Sequence, residues 1–210
     1  VRKYSDTRQR TDDLFWEFAR LVQGIQPKVF VAENVAGIAR GVARGYFKQI
    51  YQMLCDCGYK VEARLLDAVW LGVPQTRQRV FIQGVREDLG RSPTFPKPWP
   101  YSYTVAEVLP HIHSIENANG GPYQGHAYQT TSRPMRTVQQ WRPVGVRLVE
   151  NPRSHRRMTI AELKPLCGFP GDFRLTGTYN RQWERLGRAV PPPMARAIAE
   201  SIRQNLRGET

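Results

Sequence analysis

The chain has 210 residues, 40% of them hydrophobic, and a formal net charge of +13. That apolar content excludes a chain disordered throughout, and no apolar run approaches the roughly 20 residues that cross a bilayer. Of the 31 cationic side chains 25 are arginine, whose planar fork grips phosphate or guanine bidentately, so the charge favours a polyanionic partner over a merely soluble basic surface.

Residues 11–24 read as a helix, with Leu14, Phe15, Phe18, Leu21, Val22 and Ile25 at helical spacing, a cap at Thr11 or Asp12, and Gly24 as terminator. Lys28 to Ala32 is a short apolar run of the kind that makes a buried strand. A second helix is predicted over 43–57, with Phe47, Ile50, Tyr51 and Leu54 on one face and Gly58 past its end. Tyr59, Val61, Ala63 and Leu65 alternate with polar residues as a strand does. Val80, Phe81 and Ile82 form another strand after a turn at Gly72-Val73-Pro74. This order is that of part of an open α/β sheet with a hairpin closing its edge.

From Glu87 to about Arg157 periodicity fades, and Pro93, Pro96, Pro98, Pro100, Gly120, Gly121 and Pro122 break any long element. Arg133, Arg136, Arg142, Arg147, Arg153, Arg156 and Arg157 face a single acid, Glu150, within residues 133–157. The expectation is a small, irregular, basic subdomain set into the α/β unit. Its Tyr123, Tyr128 and Trp141 serve either to pack a small core or to stack on bases. Met158 to Leu166 reads as a helix, 167–173 as a turn-rich connector. A last helix starts near Pro192 with Ala195, Ile198, Ala199, Ile202 and Leu206 as its apolar stripe. The expected domains are 1–86, 87–155 and 156–210.

Cys55, Cys57 and Cys167 are odd in number, which argues against a disulfide framework and for the cytoplasm. No Cys/His set has zinc-ligand spacing, so no metal is expected, and His111 and His113 read as solvated loop residues. The opening Val1-Arg2-Lys3-Tyr4-Ser5 has no apolar leader, and the sequence is expected to begin inside a larger protein.

Four strings carry chemistry. In Val29–Gly37, Glu33 sits at the carboxyl end of a strand, where open α/β sheets bind ligands; it is equally read as the ion-pair partner of an arginine. In Gly72–Ile82, Arg77 and Arg79 are two apart, so on an extended chain both lie on one face, either holding a phosphate and a base oxygen or lining a solvated strand edge. Arg156–Leu163 runs on to Gly168-Phe169-Pro170. Gly187-Arg188-Ala189-Val190-Pro191-Pro192 precedes the final helix, with Gly187 suited to close approach of a ligand. Taken singly, the last two strings are also ordinary loop-to-helix junctions.

In this order the strings resemble the later motifs of the C5-cytosine DNA methyltransferase family. Glu33-Asn34-Val35 matches ENV, and Gln75, Arg77 and Arg79 match QxRxR. Arg157-Met158-Thr159-Ile160 with Glu162 resembles RxLTxRE, and Gly168-Phe169-Pro170 the following GFP. Gly187–Pro192 is similar to GNAVPP, with Arg188 in place of Asn, and Arg133–Val138 to the RPSPTV phrase that ends the variable region. The family's glycine-rich cofactor loop and Pro-Cys nucleophile motif are absent, since no cysteine here follows a proline. The opening Val1 to Arg10 resembles the stretch just after that nucleophile.

The resemblance implies a partial S-adenosylmethionine-dependent methyltransferase (Rossmann-like) sheet carrying a target-recognition subdomain. It implies transfer of a methyl group to C5 of a cytosine flipped out of DNA, as in restriction-modification. Glu33 would polarise the ring around N3 and the exocyclic amine, holding or sharing a proton, which calls for a buried carboxyl. Asn34 would orient the site, Arg79 would hold O2, and Arg77 would hold nearby backbone or phosphate. Arg188, Ala189 and Val190 would lie near S-adenosylmethionine, and Arg133, Arg136, Arg142 and Arg147 on double-stranded DNA. The chain alone is expected to be inactive, needing the N-terminal half of the same enzyme or a second copy, in the cytoplasm or at the nucleoid. A non-catalytic DNA-binding module and a transfer-RNA cytosine methyltransferase are the alternatives.

Overall fold

The computed structural model describes residues 9–39, 43–116 and 128–209. Tyr123, the residues Gly120 to Pro122, most of the opening stretch, and the side chains at Thr11 and Asp12 lie outside that description. The chain forms two compact units. The first gathers the residues up to Leu66 with 78–95 and those from 201 on; the second gathers 67–77 and 96–200. These units do not follow the expected boundaries at 86 and 155.

The first unit holds helix α1 (Gln9–Ile25), strand β1 (Val29–Val35), helix α2 (Ala43–Asp56), strand β2 (Tyr59–Asp67, its last residue in the second unit) and strand β3 (Gln78–Arg86). The sheet order is β1-β3-β2, and β1 runs antiparallel to β3. α1 is longer than predicted and runs through Gly24; the chain turns instead at Gln26, whose φ of 50° places it in the left-handed region. Its inward face also differs. Leu14, Leu21 and Ile25 are exposed, while Ala19 and Val22 are buried and Phe15 and Phe18 pack against them. Alanine thus takes the buried place expected of leucine.

β1 is not the fully buried strand expected. Only Phe30 is sealed, and Val31 and Val35 are exposed on the sheet face that also carries Glu33. β3 is the buried one, closed from Val80 to Val85. α2 uses the predicted face, with Ile50 and Leu54 fully buried, and Gly58 ends it at φ 88°. The alternation of β2 holds at Tyr59 and Val61 and lapses at Leu65, which is exposed. Residues 92–94 are fastened to the last helix, α6 (Pro192–Arg207): the Asn205 amide donates to the Ser92 carbonyl at 2.8 Å and the Thr94 hydroxyl to the Ser201 carbonyl at 3.1 Å. The buried positions of α6 are Met194, Ile198 and Asn205, whereas Ala195, Ala199 and Leu206 of the predicted stripe are exposed.

The second unit contains helix α3 (Val105–Val108), strands β4 (Ile112–Glu116), β5 (Tyr128–Thr130), β6 (Gly145–Leu148) and β7 (Arg156–Arg157), and helices α4 (Ile160–Leu166) and α5 (Tyr179–Arg188). The strands form one antiparallel sheet in the order β5-β4-β6-β7. Strands of two to five residues leave little periodicity, so the stretch read as irregular conceals a sheet. A register shift between Ile112 and Ser114 turns Ile112, Ser114 and Ile115 all inward. These residues share a core with Met135, Val146, Met158, Leu163, Leu166 and Trp183.

His113 is not a loop residue but lies within β4. His111 stands in the exposed turn before that strand, as expected, and reaches Glu162 at 2.9 Å. Glu162 fastens this unit together. Its carboxylate takes Arg156 in a two-point contact at 2.9 and 2.5 Å and closes a capping box with Thr159 at the start of α4. Burial raises its affinity for a proton, but the bonds from Arg156, Thr159 and His111 outweigh burial and hold the carboxyl at about 2, below the ordinary 4.5.

Two predictions follow from this packing. The depressed Glu162 contributes stability that is complete above pH 4.5 and is lost as pH falls toward 2, on the order of 3 kcal/mol. Urea midpoints measured from pH 7 to pH 2 fall less steeply for Glu162→Gln, which is also the weaker protein at pH 7. A Cβ added at Gly84 would meet the Phe30 ring at 2.1 Å, so Gly84→Ala destabilises by roughly 1–3 kcal/mol in the same titration.

Candidate base-binding site at the rim of the first sheet

The register of β1 against β3 pairs Glu33 with Phe81 and Val35 with Arg79. Glu33 and Arg79 are therefore diagonal neighbours on one face of the sheet. Arg79 Nε lies 2.8 Å from Glu33 Oε1, with the two side chains 14% and 30% exposed. Arg79 Nη1 donates to the Gln78 carbonyl at 2.8 Å. Two of its nitrogens thus lock the guanidinium in place, and Nη2 is left to meet an incoming oxygen. Glu33 keeps its second oxygen, Oε2, for a donor. The burial expected of Glu33 is not found; the carboxyl is part-exposed and charge-paired instead.

Asn34 points to the opposite face, as alternation requires, and its side-chain oxygen accepts the Val35 amide at 2.7 Å. It shapes the end of β1, from which a single 3₁₀ turn (Ala36–Ala39) departs.

Arg77 does not accompany Arg79. β3 begins at Gln78, so the two arginines are not on one strand, and Arg77 belongs to the second unit with 1% exposure. It has no surface with which to hold phosphate, and its charge lies close to Cys167. The backbone amide of Arg77 and that of Val69 are both taken by Asp67. Gln75 is likewise structural. Its side chain donates to the Leu166 carbonyl at 3.2 Å and accepts the Val138 amide at 3.2 Å, tying the QxRxR-like string to the two other strings.

The Gly187 string also departs from expectation. Gly187 lies in the last turn of α5, not in a loop, and an added Cβ would stand 2.8 Å from Gln140 Cα. Its smallness serves chain packing and not approach to a ligand. Arg188 pairs with Glu184 at 2.7 Å, donates to Gln140 at 2.5 Å and lies 5.4 Å from the Trp141 ring centre. Ala189 and Val190 are half-buried in the turn to α6.

The basic residues divide. Arg133, Arg136 and Arg142 are exposed, whereas Arg147 is partly buried with its guanidinium 3.9 Å from the centre of the Tyr128 ring. Sequence reading missed α5 and the surface it makes with Trp141. The triplet Trp183, Leu186 and Gly187 was the available signal, masked by three arginines among the ten residues of the helix.

None of the three thiols is an activated nucleophile. Burial pushes Cys167 up to about 11, and burial with the neighbouring Asp56 raises Cys55 and Cys57. Among the described residues no cluster of three or more His, Cys, Asp or Glu could hold a metal ion, and no helix is long and apolar enough to cross a membrane.

Comparison with known proteins bears on the same segments. The model of the C-5 cytosine-specific DNA methylase family matches residues 2–119 and 100–204. Type II methyltransferase M.BspRI of Lysinibacillus sphaericus is 30% identical over 233 residues, covering 91% of this chain and 54% of its own length. Type II methyltransferase M.MthTI of Methanothermobacter thermautotrophicus is 30% identical over 247 residues, covering 97% and 73%. The chain thus spans between about half and three quarters of these relatives. Among solved structures, a protein described as a DNA modification methyltransferase of an E. coli prophage superposes with a TM-score of 0.75 at 19% identity, covering 95% of this chain and 75% of that one. The S. pombe Dnmt2 methyltransferase gives 0.65 at 13% identity, covering 92% and 72%. These two show a shared mixed α/β fold, and the matched sequence shows the rest: the chain belongs to the C-5 cytosine-specific DNA methylase family.

Proposed function

We propose that this chain is the part of a DNA (cytosine-5)-methyltransferase that holds and polarises the target base. The observation that carries the reading is the fixed Glu33–Arg79 pair on one sheet face, with an acceptor atom and a donor atom left over side by side. Cytosine presents O2, N3 and an exocyclic amine along one edge, in acceptor–acceptor–donor order. Arg79 Nη2 donates to O2. The Glu33 carboxyl accepts from the amine and, when protonated, donates at N3. Donation at O2 and at N3 draws electron density from the ring, and C6 becomes open to a thiolate. A base can reach this edge only when turned out of its helix, because its faces are stacked inside the duplex.

The thiolate that adds to C6 is not one of the three cysteines described above, so it comes from another polypeptide segment. The edge strand β1 supports a sheet that continues into another segment. The N-terminal half of the same enzyme could supply the thiolate there, whereas a second copy of this chain, carrying the same three cysteines, could only pair with the edge. S-adenosylmethionine is the methyl donor that family membership implies. Arg188 is engaged by Glu184 and Gln140, so Arg188, Ala189 and Val190 do not by themselves form a cradle for it. Arg133, Arg136 and Arg142, exposed on the second unit, are assigned to double-stranded DNA. Arg147 acts beside them through its stacking on Tyr128. Residues 87–155 are the target-recognition segment in this reading, flanked by the catalytic parts 1–86 and 156–210.

The test is Glu33→Gln in the intact protein, assayed for methyl transfer to duplex DNA and to RNA, beside binding of the same nucleic acids. Turnover on DNA falls at least a hundredfold and DNA affinity changes less than threefold, on the order expected when a group acts on the reacting ring alone. An equal loss of both, or transfer to RNA only, overturns the assignment.

A further inference from the structure

The outer face of α5 and the turn at residues 139–143 form a groove of about 380 Å³ within the second unit, lined in part by Gln140, Trp141, Arg157, Asn180 and Arg181. It is distinct from the Glu33–Arg79 pair, which belongs to the first unit. Its floor is rigid for stated reasons. Trp183, fully buried on the inner face of α5, donates its indole N–H to the Gln139 carbonyl at 2.9 Å. Gly187 lets the Gln140 backbone sit directly on the helix. Arg188 bridges Glu184 and Gln140. These contacts fix the turn, yet they leave Trp141 70% exposed. A large indole held out into solvent by a braced turn is a surface built for a partner.

The chemistry of the rim says which partner. Arg181, Glu184 and Arg188 fall at spacings of three and four, on one face of α5. Glu184, the one acid lining the groove, is already matched by Arg188. Arg157 and Arg181 are exposed and, among the described residues, have no recorded acidic partner. The groove therefore carries two uncompensated guanidiniums, an exposed amide at Asn180 and an exposed indole. Guanidinium forks match phosphate oxygens, and an indole packs on the sugar between two phosphates whatever the base.

We propose that this groove is a second DNA contact of the chain, with Arg157 and Arg181 each holding a backbone phosphate and Trp141 packing on the nucleotide between them. The inference rests on the DNA reading above and extends it from the basic segment 133–147, which supplies Trp141, to Arg157 and Arg181 beyond it. Phosphate contacts carry no sequence information, so the groove sets affinity and register without reading bases.

The test uses the full chain and a fluorescently labelled duplex of mixed sequence, titrated over a range of potassium chloride concentrations. Each phosphate released from its counterions contributes about 0.9 to the slope of log affinity against log salt. Arg157→Ala/Arg181→Ala is expected to shallow that slope by about 1.8 and to weaken binding roughly tenfold near physiological salt. Trp141→Ala weakens binding with the slope unchanged, and Trp141→Phe restores most of it. Arg203→Ala, an exposed arginine of the first unit, reports the effect of losing one positive charge elsewhere. Unchanged thermal melting of each variant confirms that the fold survives. A slope equal to that of the parent overturns the proposal, as does a slope change per arginine no greater than that of Arg203→Ala. Binding of duplex RNA in place of DNA also overturns it. If the parent chain binds no duplex at all, it is the underlying DNA reading that fails.

Discussion

The side-by-side placement of one carboxylate and one guanidinium depends on strand register. β1 and β3 are antiparallel, and a slip of one residue would send Glu33 and Arg79 to opposite faces. Register in turn is held by burial. β3 is closed from Val80 to Val85, and Phe30 is sealed against Gly84, where no larger side chain fits without displacing the ring. The apolar residues do not touch the base edge, but they decide which polar atoms do. An exposed edge strand carries the acid, and a fully buried neighbour fixes where that strand lies.

The second unit solves a different problem with the same economy. Its strands are too short to hold one another by ladder bonds alone. Glu162 compensates by joining β7, the start of α4 and the residue before β4 through one carboxylate. Gln75 does the same through an amide, inside a core otherwise apolar. Two of the strings that resemble family motifs thus supply fasteners as well as chemistry. Arg77 and Gln75 stand in the QxRxR-like string beside Arg79 and are shut away from solvent.

That division explains how much could be read from sequence. The ENV-like and QxRxR-like strings located the pair that meets in space, because ordered motifs are specific where single residues are not. Helix α2 was legible, since Ile50 and Leu54 recur at the spacing that burial demands. The inner face of α1 was misread because Ala19 counts for little on any hydropathy pattern, yet it is buried while Leu14 and Leu21 are exposed. Helix α5 escaped notice because its outer face is crowded with arginine. Arg77 was misplaced because spacing by two implies a shared face only on an extended strand, and the strand starts one residue later. His111 is an exposed turn residue as expected, but its partner was out of reach of local reading, because Glu162 is 51 residues away.

The Gln75 amide has a consequence for how the polypeptide is made. Its acceptor at Leu166 lies 91 residues further along, and its donor at Val138 lies 63. A ribosome delivers residues in order, so for a long interval the loop containing Gln75 exists with nothing to bind. The second unit therefore closes late, as one event, after the whole recognition segment has emerged. Until then Val69, Leu71 and Val73, buried in the finished unit, are already synthesised without the partners that cover them, which makes nascent chains of this length dependent on chaperones or on rapid completion.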